Sequence, residues 1–522
     1  MNGAGDRLRV GLARALRGRS GDVAQQTSNR PAFWLVAAAL GIAAGYAAIL
    51  FRLFISLLET VFYGATDATI HSRAEELNPV FVVLIPIFGG LAVGYILNRF
   101  NEGARALSVA DVIHAAALRD SRVNRREGLA SAAASMITLS TGGSTGREGP
   151  VVHLAAVIST WVSDRLRVHG VLARDVLGCA VAAAVSASFN APIAGALFAL
   201  EVVLRHYAVH AFGPIVLASV MGTVVSRLHM GNVTEFTLPD HNLVFYAEIP
   251  AFMLLGMVCG LVAVVMIRAV LLGEAAADKV QAAIRLPAML RPAVAGAGLG
   301  AIAIYFPHII GVGYETTSRA LTLELGFWAC VTFAAVKVAA VTLTFAGKMG
   351  GGVFSPALML GALTGAAFGE VSTAIIPGAV DSAGLYALAG MGAVAAAVLG
   401  APISTTLIVF ELTGDYQTAI AVMVAVSLAT VVAHRFVRKS FFLTQLARAG
   451  VSLTTGPHLL TRTVPIRGLL REPDAPDAAS MEICERMVAD GQFLRRTDSL
   501  ARALPLFERD RPLFLPVVEG VE

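Results

Sequence analysis

Between Phe33 and about Val437 the chain is a succession of apolar segments separated by short polar breaks. Phe33–Phe51, Val80–Leu97, Ile249–Ile267 and Phe327–Phe345 are long enough to predict bilayer-spanning helices, which need about 20 apolar residues. Gly149–Trp161, Ala191–Leu204, Phe354–Phe368 and Ala401–Leu412 are shorter or are interrupted by Gly and Pro. Broken segments at membrane depth survive only when packed in protein or lining a watery cavity. The pattern therefore predicts an all-α multi-pass membrane protein of transporter or channel type rather than a simple bundle. Gly41/Gly45, Gly90/Gly94 and Gly256/Gly260 put small residues one turn apart on three of these segments, a spacing that lets neighbouring helices approach closely.

Composition agrees and narrows the class. Hydrophobic residues make up 56% of the 522 and charged residues only 15%, with mean hydropathy +0.71. That balance excludes a water-soluble domain and a disordered chain, and it gives no basis for a nucleic-acid partner. The net charge of +4 is accounted for by residues 1–30, where Arg7, Arg9, Arg14, Arg17, Arg19 and Arg30 face only Asp6 and Asp22. A basic arm ahead of the first span, without a cleavage signature, reads as a cytoplasmic anchor. Arg435, Arg438 and Lys439 form a second basic flank behind the last apolar segment, so both termini are expected in the cytoplasm. Residues 31–450 form the expected membrane domain, and the charged, Pro-rich stretch 456–522 a soluble tail. Cys179, Cys259, Cys330 and Cys484 are far apart and lack ligand spacing, so neither a disulfide framework nor a metal site is expected.

Self-comparison reveals a repeat. Ala191-Pro192-Ile193-Ala194-Gly195-Ala196-Leu197 is echoed by Ala401-Pro402-Ile403-Ser404-Thr405-Thr406-Leu407, and Glu201 falls opposite Glu411. Gly146-Arg147-Glu148-Gly149-Pro150 is echoed by Gly352-Val353-Phe354-Ser355-Pro356. The offsets, 210 and 206, nearly agree. Transporters built from two related halves place their site where broken helices of the halves meet. Glu201 and Glu411 are expected to be structural, capping a neighbouring helix start.

Both Gly-x-x-x-Pro turns predict helix starts, because Pro suits the first turn and the glycines permit a tight bend. A helix N-terminus offers unpaired N–H groups and partial positive charge. Two such ends meeting at mid-membrane would hold an anion without the full charge of a Lys or Arg, which slows release by binding too tightly. Glu148 sits at one of these starts, and a carboxylate inside a membrane is costly and usually functional. It would compete with an anion for the same N–H groups, and protonation would free the site. The same stretch contains Gly142-Gly143-Ser144-Thr145-Gly146, a formal match to the serine-hydrolase G-x-S-x-G pattern. It lacks the strand–turn–helix context, so an intramembrane hydrolase using Ser144 is the remote alternative.

Gly146–Pro150 (GREGP), Asn190–Leu197 (NAPIAGAL) and Gly352–Pro356 (GVFSP), in this order along the chain and at family spacing, resemble the CLC family of chloride channels and chloride/proton exchangers. The resemblance runs from about Phe33 to Gly450. It implies two inverted halves with broken helices meeting at mid-membrane, and a homodimer with one pore per subunit. It implies that Glu148 is the outer gate, that the N–H groups of Val353 and Phe354 hold a central anion, and that Gly146, Arg147 and Gly149 line an outer site. No cofactor is implied, and the partners are chloride or another monovalent anion, the bilayer and a second copy. The expected location is the plasma membrane, which is the inner membrane in a bacterium.

Three departures from the family pattern refine these expectations. The pore serine of the first family motif falls on Leu107, with Ser108 adjacent as a possible substitute; a leucine cannot hydrogen-bond an anion. The pore tyrosine falls on Phe442, which keeps the ring and loses the hydroxyl. A central site resting on backbone amides alone should be weak and loosely selective, since each neutral hydrogen bond is worth about 0.5–1.5 kcal/mol. The inner proton glutamate of exchangers falls on Val202, which cannot relay a proton. The expected function is thus channel-like anion flow gated by Glu148, with a proton-coupled exchanger using Glu201 or His206 as the same-family rival. A fluoride-exporting relative is disfavoured by the ordinary form of Gly146–Pro150. In the tail, Thr497–Leu500, Ala503, Leu506-Phe507 and Leu515–Val518 resemble the core of a CBS module, with Val464–Leu470 as a lead-in strand. Nucleotide binding is not claimed for this single, shortened piece.

Overall fold

A computed structural model describes residues 31–66, 69–207, 209–231, 245–375 and 383–451, and in the tail residues 453, 466, 470, 479–495, 498, 500, 502–503, 506–507 and 514–518. The basic arm lies outside the described residues, as do Thr497, Ser499 and most of Val464–Leu470. The chain divides into two compact units, residues 1–446 and 447–522.

The described part of the first unit is mainly helical. It opens with α1 (Pro31–Tyr63), α2 (Ile70–Glu76), α3 (Pro79–Phe100), α4 (Val109–Leu118) and α5 (Arg125–Ser140). It continues with α6 (Glu148–Leu166), α7 (Val171–Phe189), α8 (Pro192–Phe198), which widens into a π-turn over Ala199–Leu204, and α9 (Val209–Met230). The second half holds α10 (Phe245–Ile284), α11 (Arg291–Tyr305), α12 (Tyr314–Leu321), α13 (Phe327–Ala346) and α14 (Phe354–Ile375). It closes with α15 (Ala383–Leu399), α16 (Pro402–Thr413), α17 (Tyr416–Phe436) and α18 (Phe441–Arg448), the last running across the boundary between the units.

Local sequence sets many of these boundaries. Asn78 caps α3 by accepting from the Val80 amide ahead of Pro79, Asn124 caps α5, and Asp415 caps α17. Each cap satisfies donors that a helix start leaves unpaired. Among the described residues, nine helices are long and apolar enough to cross a membrane. They include the four spans expected from hydropathy and also α14. The segment Phe354–Phe368, expected to be short or broken, runs on to Ile375 without interruption, because nothing after Pro356 breaks the helix and the glycines at 361 and 365 are tolerated where the carbonyls of Gly390 and Tyr386 pack on them. The other three segments expected to be short or broken lie in α6, in α8 with its π-turn, and in α16.

The glycine pairs are points of backbone contact. A Cβ at Gly41 would fall 2.5 Å from the carbonyl oxygen of Ala218, and one at Gly45 would fall 3.1 Å from the Cα of Gly222, so α1 lies directly on α9. In the second half, Gly256 and Gly260 abut the carbonyls of Ala425 and Ala429, joining α10 to α17. Gly90 and Gly94 abut Pro292 and Met289.

The repeat is expressed as a reciprocal contact. The Glu411 carboxylate accepts from the amides of Ile193 (2.9 Å) and Ala194 (2.7 Å) at the start of α8. The Glu201 carboxylate accepts from the amides of Ile403 (3.0 Å) and Ser404 (2.7 Å) at the start of α16, and from the Ser404 hydroxyl (2.8 Å). Each short helix thus caps the other from its own C-terminal end, so the two run antiparallel. Equivalent elements that meet antiparallel and exchange equivalent bonds are what two inverted halves produce. Glu201 and Glu411 are structural, as the sequence led us to expect.

The second unit contains α19 (Met481–Ala489) and a parallel pair, β1 (Leu494–Arg495) with β2 (Val517–Val518). Ile466, Leu494 and Ala503 form a small core, flanked by Leu500, Leu506, Phe507, Leu515 and Val517. Of the positions that carry the CBS resemblance, Ile466, Leu500, Ala503, Leu506, Phe507, Leu515 and Val517 are the described ones in this cluster.

Because the caps are reciprocal and equivalent, Glu201→Ala and Glu411→Ala should destabilise the purified protein to similar extents, about 0.5–2 kcal/mol each. Thermal unfolding in detergent checks this; a large loss for one and none for the other would contradict the shared role.

Candidate functional site

The two Gly-x-x-x-Pro turns meet in the interior of the first unit. Gly146 and Gly352 exchange backbone hydrogen bonds, each amide donating to the other's carbonyl at 2.8 Å, as a single antiparallel bridge. The Thr145 hydroxyl donates to the Gly352 carbonyl at 2.9 Å, and the Ser144 amide donates to the Thr344 hydroxyl at 3.1 Å. Gly351 has φ +142, and a Cβ there would lie 2.0 Å from the Thr145 Oγ1. The crossing therefore needs glycine for backbone conformation and for space. Immediately beyond it α6 begins at Glu148 and α14 at Phe354, each with its proline in the first turn. Two helix N-termini are thereby fixed next to each other in a buried region.

Glu148 is 4% exposed. Its Oε1 accepts from the Ser355 hydroxyl in a short bond and from the Tyr314 hydroxyl at 3.3 Å. Its Oε2 has no hydrogen-bond partner among the described residues, and it lies 2.6 Å from where a Cβ on Gly146 would be. The Arg147 guanidinium stands 4.9 Å over the Tyr314 ring, a cation–π contact. The carboxylate thus reaches across from its own helix start to the start of the facing helix. One oxygen is held and the other is not.

The remaining expected site residues are distributed as follows. Gly149 abuts Gly352 closely, a Cβ there falling 3.1 Å from its Cα. Val353 is buried beside the bridge, and the buried Phe354 ring packs on Phe189 (4.8 Å) and Phe198 (6.2 Å). Gly146, Arg147, Glu148, Gly149, Val353 and Phe354 are therefore one cluster. Leu107 is half-buried, and its amide donates to the Ser131 hydroxyl. Ser108 caps α4: its hydroxyl accepts from the Ala110 amide at 3.2 Å, and its amide donates to Asp111, which pairs with Arg105. That hydroxyl is committed to the cap and faces a carboxylate, a poor setting for an anion. Phe442 is buried against Phe441, ring to ring at 5.9 Å. Val202 is buried in the π-turn that follows α8.

Three residues were not singled out from sequence. Ser355 is the repeat partner of Gly149, and as a hydroxyl in the first turn of a predicted anion-facing helix it was detectable. Lys337 was detectable as a lone cation in an apolar span. It is 1% exposed, and its Nζ donates to the carbonyls of Ile309 and Gly311, both at 3.3 Å. It thereby anchors the loop that presents Tyr314. Tyr314 itself had no sequence signal, because it reaches Glu148 from 166 residues away.

The hydrolase reading gains no geometry. The Ser144 hydroxyl is buried and has no hydrogen-bond partner among the described residues, so no histidine is placed to activate it. Crossed helix starts in a multi-pass helical unit define a membrane transport protein rather than an enzyme. The family model of the voltage gated chloride channel matches residues 89–434. A ClcB-like chloride channel protein of Ralstonia nicotianae is 31% identical over 422 residues, covering 79% of this chain and 96% of that protein. Chloride channel protein CLC-f of Arabidopsis thaliana is 31% identical over 427 residues, covering 76% of this chain. The match spans only 53% of the length of CLC-f. Among solved structures, a slow cyanobacterial Cl-/H+ antiporter shares the fold with TM-score 0.71 at 19% identity, covering 80% of this chain and 98% of its own. The chain belongs to the voltage gated chloride channel (CLC) family.

Gly351→Ala should prevent correct assembly of the crossing, since the added methyl meets Thr145 and the backbone there is strained for any L side chain. Size-exclusion profiles of the extracted protein should show loss of the monodisperse species; a normal profile with normal stability would contradict this account of the crossing.

Proposed function

We propose that this protein conducts chloride, or another monovalent anion, across the membrane, with Glu148 as a protonatable gate. The observation that carries the reading is the Glu148 carboxylate lodged between two helix N-termini, one oxygen held by Ser355 and Tyr314 and the other unpaired. A carboxylate in that position occupies the donors an anion would use. When it takes up a proton it loses its charge and with it most of its attraction to helix-start N–H groups. It then swings away, and an anion takes the same donors. Gly146, Arg147 and Gly149 line the outer part of this path, and the amides of Val353 and Phe354 the central part. Leu107 and Phe442 stand where family members carry hydroxyls, so the central site rests on amides and should discriminate weakly among monovalent anions.

Val202 favours channel-like flow uncoupled from protons, since a valine offers no group to relay them. The proton-coupled exchanger of the same family draws on one observation. Asp175 and His210 pair at 3.4 Å, and the neighbouring Arg174 donates to the carbonyl of Leu204, at the end of the π-turn that holds Val202. We further infer a homodimer in the plasma membrane, or the inner membrane of a bacterium, with both termini cytoplasmic. Exposed Ile193 and Ile403, repeat equivalents on the abutting helices α8 and α16, offer apolar surface for a second copy.

The test is paired chloride and proton flux from liposomes. Chloride flux should rise as pH falls, because acid neutralises the gate. In Glu148→Gln it should be high and flat with pH; a retained pH response would remove Glu148 as the gate. Chloride efflux without proton uptake is expected from Val202; uphill proton uptake would instead establish the exchanger, with Asp175 and His210 the next residues to replace.

A further inference from the structure

Buried hydroxyls in this protein are mostly spent on their own helices. Ser135, Thr138, Thr141 and Thr344 each donate to the carbonyl four residues earlier, and Ser108 is used as a cap. Ser355 differs. It stands in the first turn of α14, where no helical carbonyl lies four residues back. It is 2% exposed, and its hydroxyl is directed to Glu148. A Cβ on Gly146 would lie 3.0 Å from the Ser355 amide nitrogen, 3.1 Å from its Oγ and 2.6 Å from the unpaired Glu148 Oε2. An N–H, an O–H and a carboxylate oxygen therefore crowd together against Gly146, at distances that leave no room for a side chain there.

We propose that the Ser355 hydroxyl is an anion ligand: it donates to Glu148 while the carboxylate is in place, and to the permeating anion once the carboxylate has left. This rests on the reading of Glu148 as the gate. It would give the path a side-chain donor that neither Leu107 nor Phe442 can supply. The chemistry suits a small monovalent anion, which accepts from an O–H and an adjacent helix-start N–H together. The charged or titratable groups acting on Glu148 are Arg147 beside it and Tyr314 from α12, while α14 contributes Ser355, which does not titrate.

The test uses the full chain, purified and reconstituted, with chloride itself as the probe. With Glu148→Gln holding the gate neutral, adding Ser355→Ala should weaken chloride binding by calorimetric titration about tenfold or more, the effect of losing a hydrogen bond to a charged group. Adding Ser355→Thr, which keeps a hydroxyl, should preserve the affinity. With Glu148 intact, Ser355→Ala should move the midpoint of acid activation to higher pH, because the ionised carboxylate loses a donor. Equal chloride affinity with and without the Ser355 hydroxyl overturns the proposal while leaving the gate intact. Absence of chloride binding or of flux in Glu148→Gln removes the gate reading, and this inference falls with it.

Discussion

The pair of hydrogen bonds between Gly146 and Gly352 is the constraint on which the rest of the site depends. It fixes two chain segments from opposite halves of the sequence at one point. It does so with backbone alone, so the helices that follow can start within a few ångströms of each other. Helix starts carry unpaired donors, and away from water an unpaired donor is expensive. A site built this way attracts anions because those donors need an acceptor. Here the carboxylate of Glu148 stands at that point, and it accepts from the hydroxyls of Ser355 and Tyr314.

The same economy governs the rest of the first unit. At α8 and α16 the unpaired donors are satisfied by Glu411 and Glu201, each supplied by the opposite half. Two pairs of equivalent helix starts thus meet two different fates. One pair is closed permanently by carboxylates that sit at the far end of the partner helix. At the other stands Glu148, which belongs to one of the starts; its Oε1 accepts from two hydroxyls, and its Oε2 has no partner among the described residues.

The polar groups around Glu148 come from separate parts of the chain. Ser355 arrives with α14, and Tyr314 with a loop that the buried Lys337 holds by two carbonyls. Arg147 steadies the Tyr314 ring from above. Among the described residues, two side-chain donors from distant parts of the chain thus converge on this one carboxylate.

Much of this was legible in the sequence. The apolar pattern determined the membrane class, and Gly, Pro and the repeat marked the helix starts that meet. Glu148 stood out because a charge at that depth is rarely idle. The glycine pairs marked close helix contacts, since one-turn spacing on a helix face is a local property. Other features depended on the fold. The segment Phe354–Phe368, expected to be short or broken, runs on to Ile375, because α15 packs against Gly361 and Gly365 of α14. Ser108, adjacent to a motif position, turned out to serve a cap, since its role depended on where Asp111 and the Ala110 amide fell. Tyr314 reaches Glu148 only through the path of the intervening chain. Sequence determines what a segment can do by its own periodicity and chemistry; which distant group completes a hydrogen bond is decided by tertiary packing, because that bond depends on distances no local pattern encodes.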